Sequence, residues 1–219
     1  MHRQVPLLGR TICRALPAFS AYTGIDTTAA FKQRAKIKCW SAWQKCPSVT
    51  SAFQYMSSSN PTKSGLRKHL PALYRFTNTL YGETDPMAPP SVDKFRLKSI
   101  VYGGKTWDSI PPSSDALWLK ILRATYQAGH IWGTMFSAKG ATVKPQDWGG
   151  WSMTDGKLSV RYTEKPVISR ALKPLNTCGC KPLDRGQCVT NCSCSKIPMP
   201  CSKLCACNGV CGNPAPKST

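Results

Sequence analysis

Apolar residues in the first three quarters of the chain recur mostly at helical spacing. The longest case is SSDALWLKILRATYQAGHIWGTMF (113–136). There Leu117, Ile121, Ala124, Ala128, Ile131 and Met135 form one stripe, and Ser113 or Ser114 offers an N-cap. The spacing predicts a helix with that stripe facing the core, and Trp118, Tyr126 and Trp132 are expected as core or rim aromatics. Shorter helices are predicted over PALYRFTNTLYG (71–82) and PSVDKFRLKSIVYG (90–103), each bounded by Pro and Gly. In 16–53, Ala30, Phe31, Ala35, Cys39, Trp40 and Trp43 recur at roughly helical spacing before Pro47, and Asp26, Thr27 and Thr28 supply cap chemistry. KLSVRYT (157–163) alternates instead and predicts a strand, one arm of a hairpin after Trp148-Gly149-Gly150-Trp151.

The last part of the chain loses both periods. CGCKPLDRGQCVTNCSCSKIPMPCSKLCACNGVC (178–211) holds nine of the twelve cysteines. They fall into three triplets: Cys178, Cys180, Cys188; Cys192, Cys194, Cys201; and Cys205, Cys207, Cys211. Each triplet opens with C-x-C, so one building block is used three times. The segment has few apolar residues, and Pro182, Pro198 and Pro200 discourage helix. The expected fold class is therefore mainly α: a small helical body with a short β-hairpin, then a loop-rich, metal-stabilised module. Residues 1–15 are read as a leader that can be disordered, 16–170 as a basic helical domain, 171–213 as the cysteine module and 214–219 as a tail.

Two kinds of bond can hold such a run. Disulfides leave one thiol of nine unpaired. The apolar run at 5–8, with Arg10 and Arg14 close behind, is too short for a secretory segment, so a reducing compartment is expected. Zinc fits better. Three tetrahedral zincs need about twelve ligand positions, which nine thiolates fill if three of them bridge two metals each. In an extended C-x-C both side chains point the same way, so one pair reaches one metal or two neighbours. Zinc would then supply most of the folding free energy of the module, about 10–16 kcal/mol per structural ion in peptides.

Charge narrows the partner. The chain carries 30 Lys+Arg against 10 Asp+Glu, a formal net charge of +20. Between Asp26 and Glu83 there is no acidic residue at all. A polyanion is the expected partner, and DNA the first choice. Lys32, Arg34, Lys36 and Lys38 form a basic connection between two expected short helices. Lys181, Arg185, Lys196 and Lys203 lie within the cysteine run as further phosphate contacts, with ordinary solvated charge as the alternative. No apolar run approaches the roughly 20 residues of a membrane helix. No nucleophile–base arrangement, phosphate loop or nucleotide fingerprint is present. Cys13, Cys39 and Cys46 are expected as buried or free thiols.

The run reads C-x-C-x7-C-x3-C-x-C-x6-C-x3-C-x-C-x3-C, and it resembles the CXC domain of tesmin/TSO1-like proteins at all nine cysteine positions. That resemblance implies three zinc ions on nine cysteines and, for many members, DNA binding in the nucleus. Asn191 stands where the DNA-reading repeats carry tyrosine, and one repeat is present where they usually come in pairs. A second stretch, AYTGIDTTAAF, is similar to part of transposon-like animal proteins, as are IPPSSDALWLKILRATYQAGHIWG and PQDWGGW. Through them it resembles the aspartate and helix-hairpin-helix of PIN/flap-endonuclease-like nucleases, here over 24–46. The resemblance implies a metal-ligating role for Asp26. A two-metal site needs several carboxylates, and Asp26 is the only one before Glu83. The expectation is a non-catalytic, transposon-derived tail of such a nuclease, with Asp26 a vestigial ligand or a helix cap. The alternatives are a nuclease remnant that needs a missing partner, and a protein-interaction adaptor with a structural zinc cluster.

Overall fold

The computed structural model describes residues 5–101, 109–135, 142–163, 178–180, 192, 194, 201 and 205–209. The order is α1 (Val5–Thr23), α2 (Lys36–Lys45), a 3-10 turn (Pro47–Val49), α3 (Thr50–Met56), α4 (Lys63–Leu80), α5 (Val92–Val101), α6 (Ser114–Thr125), the one-turn helix α7 (Pro145–Trp148), β1 (Trp151–Thr154) and β2 (Lys157–Val160). The fold is mainly α with one antiparallel hairpin. Two compact units divide the chain. One is Met1–Val92 with Pro111–Thr163, and the other is Asp93–Ile110 with Glu164–Thr219.

In the first unit α1 packs on α3 and α6, and α4 packs on α2 and α3. Aromatic rings from these helices meet edge to face or tilted. Trp43 lies 5.3 Å from Phe53, Phe53 lies 5.4 Å from Phe76, and Tyr22 lies 5.8 Å from Phe53. Each such pair adds about 0.5–1.5 kcal/mol beyond its burial. The buried Tyr22 hydroxyl shares a 2.8 Å hydrogen bond with Thr77 Oγ1, and burial pushes its pKa above the usual phenol range. In the second unit α5 buries Phe95 and Ile100, as its predicted helix implies.

Four features bear on these expectations. Within the segment read as a leader, α1 begins at Val5, bends at Gly9 (φ 73°), and buries Ala15 together with Ala18 and Phe19. The segment 24–35 is not helical. Ile25 and Thr28 exchange backbone hydrogen bonds of 2.9 and 3.1 Å, so Asp26 sits exposed at the tip of a tight turn and caps no helix. The helix-hairpin-helix expected over 24–46 therefore contributes one helix there, α2. Third, α4 starts at Lys63 behind the N-cap Thr62, whose side chain accepts from Gly65 N–H, and runs through Pro71. The carbonyl left without its usual donor is that of Arg67, a residue exposed like Pro71 itself. Fourth, the long helix is α6 followed by a π turn (Tyr126–Ile131) and a 3-10 turn (Trp132–Thr134). Each extra residue in a turn rotates the subsequent residues by about 100°. The stripe accordingly stays buried through Ala128, while Ile131 and Met135 are exposed.

The hairpin is placed by Trp148-Gly149-Gly150-Trp151. Trp148 Nε1–H donates to Leu122 O at 2.8 Å. Gly149 and Gly150 have φ of 101° and 90°, and Arg123 Nη1 donates to Gly150 O and Arg161 O, both at 3.2 Å. A Cβ on Gly150 would stand 2.8 Å from Arg123 Cγ, so only glycine permits this approach. Asp155 (φ 49°) and Gly156 (φ 72°) make the two-residue turn, the Asp-Gly pattern that suits a right-twisted hairpin.

Candidate metal centre

Seven of the nine run cysteines are described: Cys178, Cys180, Cys192, Cys194, Cys201, Cys205 and Cys207. Cys188 and Cys211 lie outside the described residues. None of the seven is in a disulfide. Instead their sulfurs converge. Cys178, Cys194, Cys201 and Cys205 place all four Sγ atoms within 4.8 Å of one another. Cys178, Cys180 and Cys192 do the same as a second group.

The contacts have the dimension of a metal shell. Cys178 and Cys201 sulfurs are 3.7 Å apart, Cys192 and Cys201 3.6 Å, and Cys194 and Cys205 3.5 Å. A disulfide needs about 2.05 Å. A tetrahedron with Zn–S bonds of about 2.3 Å has edges of about 3.8 Å. All the donors are sulfur, the set that suits zinc among the common ions. Cys178, Cys192, Cys194, Cys205 and Cys207 are buried, and Cys180 and Cys201 pack against them. This sulfur cluster takes the place of an apolar core in the module.

The backbone holds the first group in register. Ala206 N–H donates to Cys178 O at 2.9 Å, and Cys178 N–H donates to Cys205 Sγ at 3.4 Å. Asn208 N–H donates to Cys205 O at 2.8 Å. Asn208 (φ 51°) and Gly209 (φ 76°) then carry the chain through a left-handed turn, a conformation both residue types tolerate. The two uses of C-x-C expected from an extended pair are both realised. Cys178 and Cys180 serve the same group, whereas Cys192 and Cys194 divide between the two. Cys178 belongs to both groups, which no spacing argument could single out.

Burial and neighbouring thiols push the Cys178 and Cys194 pKa values up. Thiolates this close repel one another, so deprotonation requires a positive charge among them. The two sulfur groups could each hold a metal ion. Among the described residues, both groups able to hold an ion consist of cysteine alone.

The expected DNA contacts divide. Lys32 and Lys38 are exposed. Lys36 is exposed too, and its Nζ donates to Ser20 O at 2.8 Å, Thr23 Oγ1 at 2.9 Å and Gly24 O at 2.6 Å, which caps the C-terminus of α1. Arg34 Nε donates to Leu80 O at 3.1 Å, and its guanidinium lies 4.6 Å from the Tyr81 ring centre. These two cations serve the fold, and their partners lie too far along the chain for local sequence to reveal them. Lys181, Arg185, Lys196 and Lys203 fall outside the described residues. Cys39 and Cys46 are buried and Cys13 half-buried, all as free thiols. No helix among the described residues is long and apolar enough to cross a membrane.

No protein-family model, curated protein or solved structure matches this chain.

Proposed function

We propose that this chain is a non-enzymatic nuclear protein whose C-terminal CXC-type module holds three zinc ions on nine cysteines, and that it contacts DNA. The observation that carries the metal part is the sharing of Cys178 between two thiol groups. A shared thiolate is what nine ligands need in order to serve more metals than four apiece would allow. Cys188 and Cys211 complete the ligand set by their place in the repeat.

The DNA part is supported by charge. The net charge is +20, and the 56 residues between Asp26 and Glu83 hold no carboxylate. Lys32 and Lys38 present exposed cations in that stretch. With no acidic neighbour in sequence, such groups gain most from phosphate, through release of condensed counterions. The basic body supplies a sequence-independent term, and the rigid cluster adds a second contact through Lys181, Arg185, Lys196 and Lys203. The likeness of several segments to transposon-like proteins supports a mobile-element origin.

Fluorescence anisotropy of a labelled DNA duplex with the zinc-loaded chain, at two salt concentrations and with or without chelator, tests this reading. Binding that falls steeply with salt and weakens on chelation supports it. Absence of binding at low salt removes DNA as the partner. Binding that survives chelation unchanged confines the contact to the helical body.

A further inference from the structure

The hairpin of the first unit presents an open strand edge with two chemically distinct faces. β1 pairs antiparallel with β2, Trp151 opposite Val160, Ser152 opposite Ser159, Met153 opposite Leu158 and Thr154 opposite Lys157. Arg161 N–H donates to Gly150 O at 3.0 Å, which fixes the phase of the ladder. Residues 161, 159 and 157 then point their backbone groups toward β1, and Leu158 and Val160 point theirs outward. The sheet has two strands, so this outward edge has no strand beside it among the described residues.

Edge strands in soluble proteins are commonly blunted by charge, proline or a bulge. β2 carries none of these on its apolar face. All four of its residues are exposed, and Leu158 and Val160 share one face with Met153. Their fractional exposures are 46, 41 and 50%, and Tyr162, two residues beyond Val160, is 80% exposed. The opposite face carries Lys157, Ser159 and Arg161, with Ser152 Oγ 3.1 Å from Ser159 Oγ. The strand is held stiffly at its base, because Trp151 packs on Tyr126 at 5.3 Å and Arg123 bonds to both Gly150 and Arg161.

We propose that β2 is a docking edge for an extended acidic peptide in which apolar and acidic residues alternate. Such a segment adds as a third strand. Its backbone pairs with the outward groups of Leu158 and Val160, its apolar side chains cover Leu158 and Val160, and its carboxylates face Lys157 and Arg161. Charge selects this occupant over a second copy. Two copies paired antiparallel about Ser159 would set Lys157 of each opposite Arg161 of the other, and each brings a net charge of +20. DNA has no backbone donors to complete the ladder.

The test uses the full zinc-loaded chain and two labelled octapeptides of equal composition. One alternates valine with glutamate, and the other holds the same residues in two blocks. The expected result is that the alternating peptide binds at least about tenfold tighter. Val160→Pro, which removes an outward N–H, is expected to abolish the difference while far-UV circular dichroism and zinc content stay unchanged. Should that variant misfold, wild-type chain with the alternating peptide N-methylated at every second residue gives the same reading. K157E/R161E is expected to transfer the preference to a valine–lysine peptide. Equal binding of the two octapeptides, full binding to Val160→Pro or the methylated peptide, or a chain dimer that Val160→Pro dissolves would each overturn the proposal.

Discussion

The Sγ atoms of Cys178 and Cys201 stand 3.7 Å apart, although 23 positions separate the two residues in the chain. With Cys194 and Cys205 they form a four-sulfur group, and Cys178 reaches a second group with Cys180 and Cys192. The consequence is unequal dependence on different cysteines. Cys178→Ser is expected to lower the metal content by more than one ion, because it removes a ligand from both groups. Cys205→Ser, in the first group alone, is expected to lose about one. Metal content by elemental analysis, and the thiolate–cobalt absorption of the cobalt-substituted chain, check this. Equal losses from the two variants would remove the bridging role from Cys178.

Lys36 and Lys38 are close in sequence but differ in what they do. Both are exposed, but Lys36 caps α1 through three oxygens. Lys36→Met is expected to destabilise the first unit by about 0.5–1 kcal/mol in urea unfolding, the scale of a cation at a helix C-terminus. Lys38→Ala is expected to leave stability unchanged, weaken DNA binding, and lower the slope of log K against log salt by about one.

Much of this arrangement was legible in the sequence, and the remainder was hidden for physical causes. The repeat of the cysteines announced a metal module because thiolate geometry is encoded by spacing, as C-x-C shows. The stripe from Leu117 to Ala128 was legible for the same reason, since helical period is local. The roles of Arg34 and Lys36 were hidden because their partners, Leu80, Tyr81 and the end of α1, are brought near only by folding. Pro71 misled as a boundary because the carbonyl it deprives of a donor, that of Arg67, belongs to an exposed stretch of the helix. The π turn after Thr125 carries no residue signature, so the exposure of Ile131 and Met135 could not be foreseen.

Lys120 is buried, with Nζ 4.4 Å from the centre of the Phe31 ring and donating to Ala29 O. Burial, helped by Arg123, pushes its pKa down to about 7 from an ordinary 10.5. The unfolded chain therefore binds more protons between those values, and this group makes stability rise as pH increases from about 7 toward 10.5. Lys120→Met is expected to flatten that rise in urea unfolding followed by tryptophan fluorescence. An unchanged pH profile would show that Lys120 is solvated.

His130 works in the acid range. It is buried, its ring lies 4.4 Å from Trp148, and Nε2 has no hydrogen-bond partner among the described residues. Burial lowers its pKa below the ordinary 6.5, and His69 is lowered in the same direction by burial and Lys68. Stability from these groups is complete above about pH 6.5 and is lost as pH falls toward their folded values. His130→Phe is expected to reduce the loss of thermal stability on acidification, and His69→Phe to reduce it further. Melting curves that keep the wild-type pH dependence in both variants would contradict this.

Gly150→Ala tests how the hairpin is seated. The added methyl meets Arg123 Cγ at 2.8 Å and Leu119 O at 3.2 Å, at a φ of 90°. A loss of about 1–3 kcal/mol is expected, the usual scale for strain of this kind, in chemical unfolding of the whole chain.

The measurement that bears most directly on the account is native mass spectrometry of the reduced chain reconstituted with zinc, paired with alkylation of its thiols. The expected result is a mass increase of three zinc ions, with the nine cysteines at 178–211 protected from alkylation until chelator is added. A chain that takes up fewer than three zincs under saturating metal, or one whose run cysteines are paired as disulfides, would contradict it.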